Sequence, residues 1–409
     1  MEKATYKTDE LEIKRMFNNF LLRIKRTKVE YIRNLINEIN WNDRFIAIKG
    51  PRGCGKTTFL HQYIKQNFAL NESIIYVSLD DVFFSNNRLI DFVDDFVANG
   101  GTHLFLDEVH KYPTWSLELK SIYDNHIDLK IIFTSSSVLE IYKGSADLSR
   151  RVVAYDMEAL SFREFILLNN GINLPIIPLP DLLENHIALA LSISEKIKII
   201  PAFKNYLEHG VYPFFMEGSS SYSHKLGNTV NLILETDLPA VYNMEYKNVF
   251  KLKKLLHFLA VSGPYKPDIT KLAAQLEISR NTLLAFLNYL HTAKLINLLK
   301  TDKGAESILT KPEKIYLNNT NLMHALAGEP TDIGAVREVF FFNQLAVKHT
   351  VRFTPTGDFL IDNKLLFEVG GKNKTFNQIK DLTNAYLAID GVELGMGNKI
   401  PLWLFGFSY

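Results

Sequence analysis

The sequence has one cysteine, Cys54, among its 409 residues. That scarcity excludes a disulfide framework and any zinc site built on several cysteines, and it fits a reducing compartment. An excess of charge is also missing: 46 Lys+Arg against 45 Asp+Glu leave a formal net charge of +1. No strongly basic module therefore makes nucleic acid the default partner, although a local basic face can hide inside a balanced sum. Long apolar runs are absent. Nothing approaches the roughly 18–20 uninterrupted apolar residues of a membrane helix. The opening MEKATYKTDELEIKR is too charged for a signal peptide, so a cytoplasmic protein without a membrane partner is expected. No internal repeat or low-complexity tract is visible. What is present, 47% hydrophobic and 22% charged residues, is the composition of a globular protein with ample core. The length predicts two or three domains.

The first forty residues carry apolar positions at helical spacing among charges. The texture then changes. Short apolar runs at Phe45–Ile48, Ser73–Leu79, His103–Leu106, Lys130–Phe133 and Val152–Tyr155 alternate with helix-length segments. That alternation predicts βαβ units and a parallel sheet. The Pro-rich stretch Ile172–Leu183 reads as a domain boundary, and Gly218–Asn228 (GSSSYSHKLGN) as a mobile loop. A mainly helical region follows. Asp268–Leu299 reads helix–turn–helix, and a mixed α/β module begins near Gly334. The expected division is 1–170, 171–258, 259–330 and 331–409.

Gly50-Pro51-Arg52-Gly53-Cys54-Gly55-Lys56-Thr57 matches G-x-x-x-x-G-K-[ST], after a predicted strand and before a predicted helix that opens at Thr58. Glycines allow positive φ, so successive backbone N–H groups can converge on phosphate oxygens. The helix N-terminus adds partial positive charge. Lys56 would neutralise the β- and γ-phosphates, and Thr57 would offer a hydroxyl to Mg²⁺. Cys54 reads as a small residue that fits the loop.

The other half of such a site is an acid at the end of a neighbouring apolar strand, which Leu104-Phe105-Leu106-Asp107-Glu108 supplies. Asp107 would hold Mg²⁺ and Glu108 would polarise the attacking water as general base, which favours ATP hydrolysis over kinase chemistry. Phe133-Thr134-Ser135-Ser136-Ser137 ends the next strand with hydroxyls. One of them, Ser135 first, reads the γ-phosphate or orients water, or else the group caps a helix. Arg150 and Arg151 precede the last strand. Arg151, ahead of Arg150, is placed as a finger for a neighbouring subunit's γ-phosphate in a homo-oligomer; alternatively the pair compensates a helix C-terminus. His110 is expected to pack or hydrogen-bond near the site.

GPRGCGKTT, LFLDEVHKYPTWSLELKSIYD, FTSSS and DLSRRVVAYDMEALSFREF, continued by GVYPFF, ETDLP and FEVGGKNK…GNKIPLWLFGFSY, resemble the predicted prokaryotic AAA+ ATPases with a C-terminal domain of unknown function. The resemblance covers nearly the whole chain. It implies an α/β P-loop NTPase core of the additional-strand, catalytic-glutamate type with sheet order 5-1-4-3-2. A helical lid, a winged helix and a restriction-endonuclease-like module would follow. Gly210-Val211-Tyr212-Pro213 is similar to the G-x-P lid motif of related ATPases, which puts Pro213 near adenine.

In Ile269–Leu299, Ser279 would cap the second helix, and Arg280 and Asn281 would sit at its exposed start, where groove-reading side chains belong. The rest of that helix offers few basic residues, so DNA and a protein partner both stay open. The terminal module has Glu338 on a helix, Asp358 in GDFLID and Glu368 in LLFEVGG. A PD-(D/E)xK nuclease uses such carboxylates with a lysine two residues beyond the last one. Here Gly370 holds that position, and Lys372 and Lys374 lie further on, so an inactive nuclease fold is expected. The leading expectation is an Mg-ATP-driven AAA+ switch. The alternatives are an ATP-gated DNA-processing nuclease and a non-hydrolysing scaffold that binds a protein.

Overall fold

The computed structural model describes residues 2–136, 148–301, 310–327, 332–375 and 382–409. The chain forms two compact units, residues 1–158 and 159–409. The first opens with α1 (Glu2–Arg26), which buries Met16, Phe20 and Ile24 at four-residue spacing on one face. There follow β1 (Phe45–Gly50), α2 (Lys56–Asn67), β2 (Ile74–Ser78), α3 (Leu89–Ala98), β3 (His103–Asp107), α4 (Trp115–Asn125), β4 (Lys130–Ser136) and β5 (Val153–Asp156). The strands pair in the order β2-β3-β4-β1-β5, and every neighbouring pair is parallel. That is the 5-1-4-3-2 order which the resemblance implies. Parallel strands covered on both faces read as unbroken apolar runs. Accordingly, Phe45–Ile48 and Leu104–Leu106 are each 1% exposed or less.

All five expected strands are present. β1 and β4 run further than their apolar letters, because their pairing continues through Lys49↔Ser135 and Gly50↔Ser136. The extra residues lie at the carboxyl edge, where open parallel sheets bind ligands. The helix expected after β4 and its leading Ser137 fall outside the described residues.

The second unit starts with α5 (Phe162–Asn170), ahead of the boundary at 170 read from the sequence. Ser161 and Glu164 form a reciprocal capping box at its start. Ser161 Oγ and Arg163 Nε each donate to the Tyr409 carbonyl at 3.0 Å, which ties this helix to the C-terminal residues. The Pro-rich stretch is not a boundary. Leu174, Ile177, Leu179 and Leu182 are buried, and the Ile177 amide donates to Phe407 O at 2.8 Å.

α6 (Leu179–Ser194) and α7 (Ile199–His209) follow. The expected loop at 218–228 is instead a short 3₁₀ turn leading into α8 (Tyr222–Leu232). Tyr222, Leu226 and Val230 bury one face of α8, while the three serines before it, with Ser223 and Lys225, give the sequence its loop-like look. A π-turn leads to α9 (Leu238–Tyr242), then α10 (Tyr246–Ser262), α11 (Ile269–Gln275) and α12 (Arg280–Thr292). Ser279 caps α12 by accepting from the Thr282 amide at 3.0 Å. β6 (Ile296–Leu299) and β7 (Lys314–Leu317) pair antiparallel. After α13 (Thr320–Ala327) and α14 (Ile333–Leu345) comes a mixed sheet of β8 (Val351–Arg352), β9 (Phe359–Ile361), β10 (Leu365–Gly371), β11 (Ala385–Asp390) and β12 (Lys399–Pro401). Its order is β12-β11-β10-β9-β8. Among the described residues, no helix is long and apolar enough to cross a membrane.

Candidate nucleotide site

The loop between β1 and α2 takes its shape from three glycines. Gly53 and Gly55 adopt φ of 83° and 98°, the left-handed region that side chains disfavour. Gly50 has no room for a side chain, since a Cβ there would lie 2.2 Å from the Met157 carbonyl. Cys54 is fully buried, and its carbonyl accepts from Arg33 Nη1 at 3.3 Å. Pro51 is buried, whereas Arg52 is half-buried and Gly53 and Thr58 are exposed. α2 starts at Lys56 with no side chain capping its first amides, so these are available to an anion. Lys56, 6% exposed, folds back over the loop: its Nζ donates to Gly50 O at 2.9 Å and Pro51 O at 3.1 Å.

Asp107, at the end of β3, receives three hydroxyls. Thr57 Oγ1 and Tyr76 OH each donate to Oδ2 at 2.7 Å, and Thr134 Oγ1 donates to Oδ1. The sheet order explains the convergence. β3 lies between β2, which carries Tyr76, and β4, which carries Thr134. Burial and the Asp107 carboxylate push the Tyr76 phenol well above its usual range, so it stays a proton donor. Behind it, His61 packs edge-on against the Tyr76 ring, and burial pushes its imidazole down to about 4, against the opposing pull of Asp107.

This arrangement makes the first unit acid-sensitive. The unfolded chain protonates His61 near 6.5 and the folded chain only near 4. Within that window the unfolded state binds more protons, so stability is fully present above 6.5 and lost as pH falls towards 4. Denaturant unfolding of the chain without nucleotide should show this slope, and His61→Asn should flatten it. Equal slopes for the two proteins would contradict it.

Glu108 adopts left-handed backbone, φ 55° and ψ 39°, which is unusual for a side-chain-bearing residue and is found where function constrains the chain. Its amide donates to Thr134 Oγ1 at 3.0 Å. Its carboxylate, a quarter exposed, lies 3.3 Å from His110 Nε2 and 3.9 Å from Arg52 Nη1. Burial, reinforced by Lys111, Lys56 and Arg52, pushes His110 down to about 3, so the imidazole is neutral. Its Nδ1 accepts from the Ser136 amide at 3.4 Å, which assigns the ring proton to Nε2, facing Glu108.

Not every expected residue joins this cluster. Thr134 is the β4 hydroxyl that engages both acids. Ser135, one residue on and therefore on the other face, is fully buried, and its hydroxyl has no hydrogen-bond partner among the described residues. Arg151 is engaged elsewhere: its Nε and Nη2 meet both Asp124 oxygens at 2.9 and 3.0 Å, and its guanidinium lies 5.7 Å from the Tyr123 ring centroid. Arg150 is exposed. Pro213 belongs to the second unit, where it opens a 3₁₀ helix. Tyr76 is the residue that sequence reasoning missed. Its only signal is the pairing of β2 with β3, which spacing alone does not reveal.

Residues 42–166 match the family model described as AAA domain. That match covers the parallel sheet and the glycine loop of the first unit and runs a few residues into the second. Residues 200–332 match a second model, a domain of unknown function designated DUF8612. An uncharacterized protein of Methanocaldococcus jannaschii is 25% identical over 410 aligned positions, covering 92% of this chain and 86% of the relative. Among solved structures, the Aeropyrum pernix Orc1 protein in complex with DNA matches 78% of this chain and 92% of its own, at 10% identity and a TM-score of 0.30. The C. elegans PCH-2 structure matches 60% of each chain at 13% identity and a TM-score of 0.25. Scores this low transfer no detail of those proteins to this chain.

Proposed function

We propose that the chain binds Mg-ATP at residues 50–58 and hydrolyses it, using nucleotide state as a switch. One observation carries this reading. The Thr57 hydroxyl and the Asp107 carboxylate, from the loop and from a strand fifty residues on, meet at 2.7 Å. Oxygen ligands of this kind suit Mg²⁺, which takes one or two carboxylates together with substrate phosphates and water. The fit agrees with the lack, among the described residues, of three or more His, Cys, Asp or Glu side chains grouped as a metal cage. When bound by Thr57 and Asp107, the ion would neutralise phosphate charge.

The chain's own groups do the rest. The amides of Gly53, Cys54, Gly55 and Lys56, with those opening α2 at Thr57 and Thr58, cradle the phosphates, and Gly50, Pro51 and Arg52 shape the approach. Lys56 moves from its carbonyl partners to the β- and γ-phosphates. Glu108, beside Arg52 and neutral His110, accepts the proton of a water in line with the γ-phosphorus. Tyr76 and Thr134 fix Asp107.

As further proposals, the helical segments around α6–α10 act as a lid, α11, α12, β6 and β7 as a winged helix, and the terminal sheet as an endonuclease-like module. Arg280 and Asn281 are both exposed at the start of α12, and a DNA or protein partner would meet them there. A cytoplasmic setting completes the reading. Release of phosphate from ATP with Mg²⁺ by the full chain tests it; no turnover and no ATP binding would overturn it.

Arg151 is proposed as a finger in a homo-oligomer, which requires it to leave Asp124. Arg151→Ala should then keep ATP affinity and lose the rise of specific activity with protein concentration. Concentration-independent turnover by the parent chain would remove that role.

A further inference from the structure

Away from the nucleotide site, the second unit encloses a cavity of about 480 Å³ between the end of α10, β7, α13 and the start of α14. That volume lies within the range of small-molecule pockets. Ala260, Pro264, Met323, Ala327 and Ala335 give it apolar walls. Lys314 from β7, Asp332 at the cap of α14 and Glu338 within α14 also line it.

The charges in this lining do not cancel, because two carboxylates face one ammonium. Tyr316 OH at 2.8 Å and Lys314 Nζ at 3.3 Å both donate to Glu338 Oε2. Glu338 Oε1 accepts from none of the described residues. Asp332 is exposed and accepts the Gly334 amide at 3.0 Å. The last turn of α10 forms one wall and carries no basic residue, so nothing on that turn offsets the partial negative charge of the helix end. Burial pushes the Glu338 carboxyl above its ordinary range, and the Asp358 carboxylate adds to the rise, against Lys314 and Tyr316. A carboxylate in that state is short of positive charge.

The occupant that suits such a lining is a cation with an apolar stem. A metal ion suits it poorly, since much of the wall is hydrocarbon where Mg²⁺ or Ca²⁺ would need oxygen ligands. The described residues also hold no group of three or more His, Cys, Asp or Glu placed for a metal. An aliphatic ammonium matches both halves of the cavity. Its N–H groups supply the donors that Oε1 lacks, and its methylenes pack on alanine and on the adaptable Met323. Val261, in the lining, and Ile333, between the lining residues Asp332 and Gly334, are each 62% exposed. They give the mouth an apolar rim for the outer part of the stem.

We propose that this cavity binds a primary aliphatic ammonium group, with its nitrogen on Glu338 Oε1 and its stem along Ala260, Met323 and Ala335. Free diamines or polyamines carry that chemistry, and so does a lysine side chain of a partner protein. Lys314 and Tyr316 hold the carboxylate by its other oxygen. Lys314 is also a like charge within the lining, so it limits the affinity. The proposal is independent of ATP binding and hydrolysis.

Isothermal titration calorimetry of the full chain tests it, without nucleotide, with EDTA present and at fixed ionic strength. The probes are 1,4-diaminobutane, spermidine and a short peptide, blocked at both ends, with one central lysine. N-butylacetamide serves as the uncharged analogue. One saturable site with Kd of about 1 mM or tighter is expected for at least one charged probe, and none for N-butylacetamide. Tighter binding of the free amines assigns a small-molecule ligand, and tighter binding of the peptide assigns a partner's lysine. Glu338→Gln should weaken binding at least about tenfold, the worth of a hydrogen bond to a charged group. Lys314→Gln should tighten it about threefold or more, because a like charge leaves the lining. A merely structural role for Lys314 would not give that opposite sign. No saturable binding of any charged probe, equal binding of the uncharged analogue, an unchanged Kd in Glu338→Gln, or unchanged or weaker binding in Lys314→Gln would each overturn the proposal. Circular dichroism matching the parent confirms that each variant is folded.

Discussion

Glu108→Gln protein binds ATP as tightly as the parent chain and turns it over about 10²–10⁴-fold more slowly, the usual contribution of a positioned general base. The substitution keeps the size of the side chain and its place 3.3 Å from His110 Nε2, but removes the group that takes a proton. ATP affinity should survive, because the loop amides and Lys56 do not depend on Glu108. At Glu108 the backbone amide, not the carboxylate, donates to Thr134 Oγ1, so the fold should survive as well. Equilibrium binding of ATP beside single-turnover hydrolysis separates the two effects. Hydrolysis at the parent rate would show that another group activates the water.

Lys56→Ala has the second large effect, and it falls on binding. The ammonium is buried against Gly50 O and Pro51 O, where it neutralises no charge. Its stabilising partner is expected to be phosphate. A hydrogen bond to a charged group is worth about 1.5–3 kcal/mol, so ATP affinity should fall at least about tenfold, with turnover lost at ordinary ATP concentrations. The two loop carbonyls then face solvent or water, so the fold is only mildly affected. Parent-like hydrolysis by Lys56→Ala would show that the phosphate loop does not bind the nucleotide.

Much of this site is legible in the sequence. The glycine spacing dictates the loop, and the unbroken apolar letters of FIAI and LFL dictate buried parallel strands, which deliver Asp107 and Glu108 to the same edge as Thr57. What spacing does not encode is which strands lie side by side. Tyr76 and Thr134 reach Asp107 only because β3 lies between β2 and β4. Ser135 and Thr134 are equivalent as letters, and the alternation of the strand separates them. In the second unit, Gly218–Asn228 looks like a loop because its polar residues outnumber the few apolar ones that bury a helix face. The Pro-rich stretch looks like a linker because its buried leucines and isoleucines have no regular period. Lys374 is hidden for a different reason. Its Nζ lies 2.6 Å from Glu368 Oε1, reached through space left by Gly370, and no fixed offset along the chain describes that.

A crystal structure of the full chain with Mg²⁺ and a non-hydrolysable ATP analogue tests the nucleotide site most directly. The predicted result has the phosphates on the amides of residues 53–58, Mg²⁺ between Thr57 and Asp107, and Lys56 Nζ withdrawn from Gly50 O and Pro51 O onto the phosphates. A nucleotide bound elsewhere, or a loop with Lys56 still on its two carbonyls beside a bound nucleotide, would contradict it.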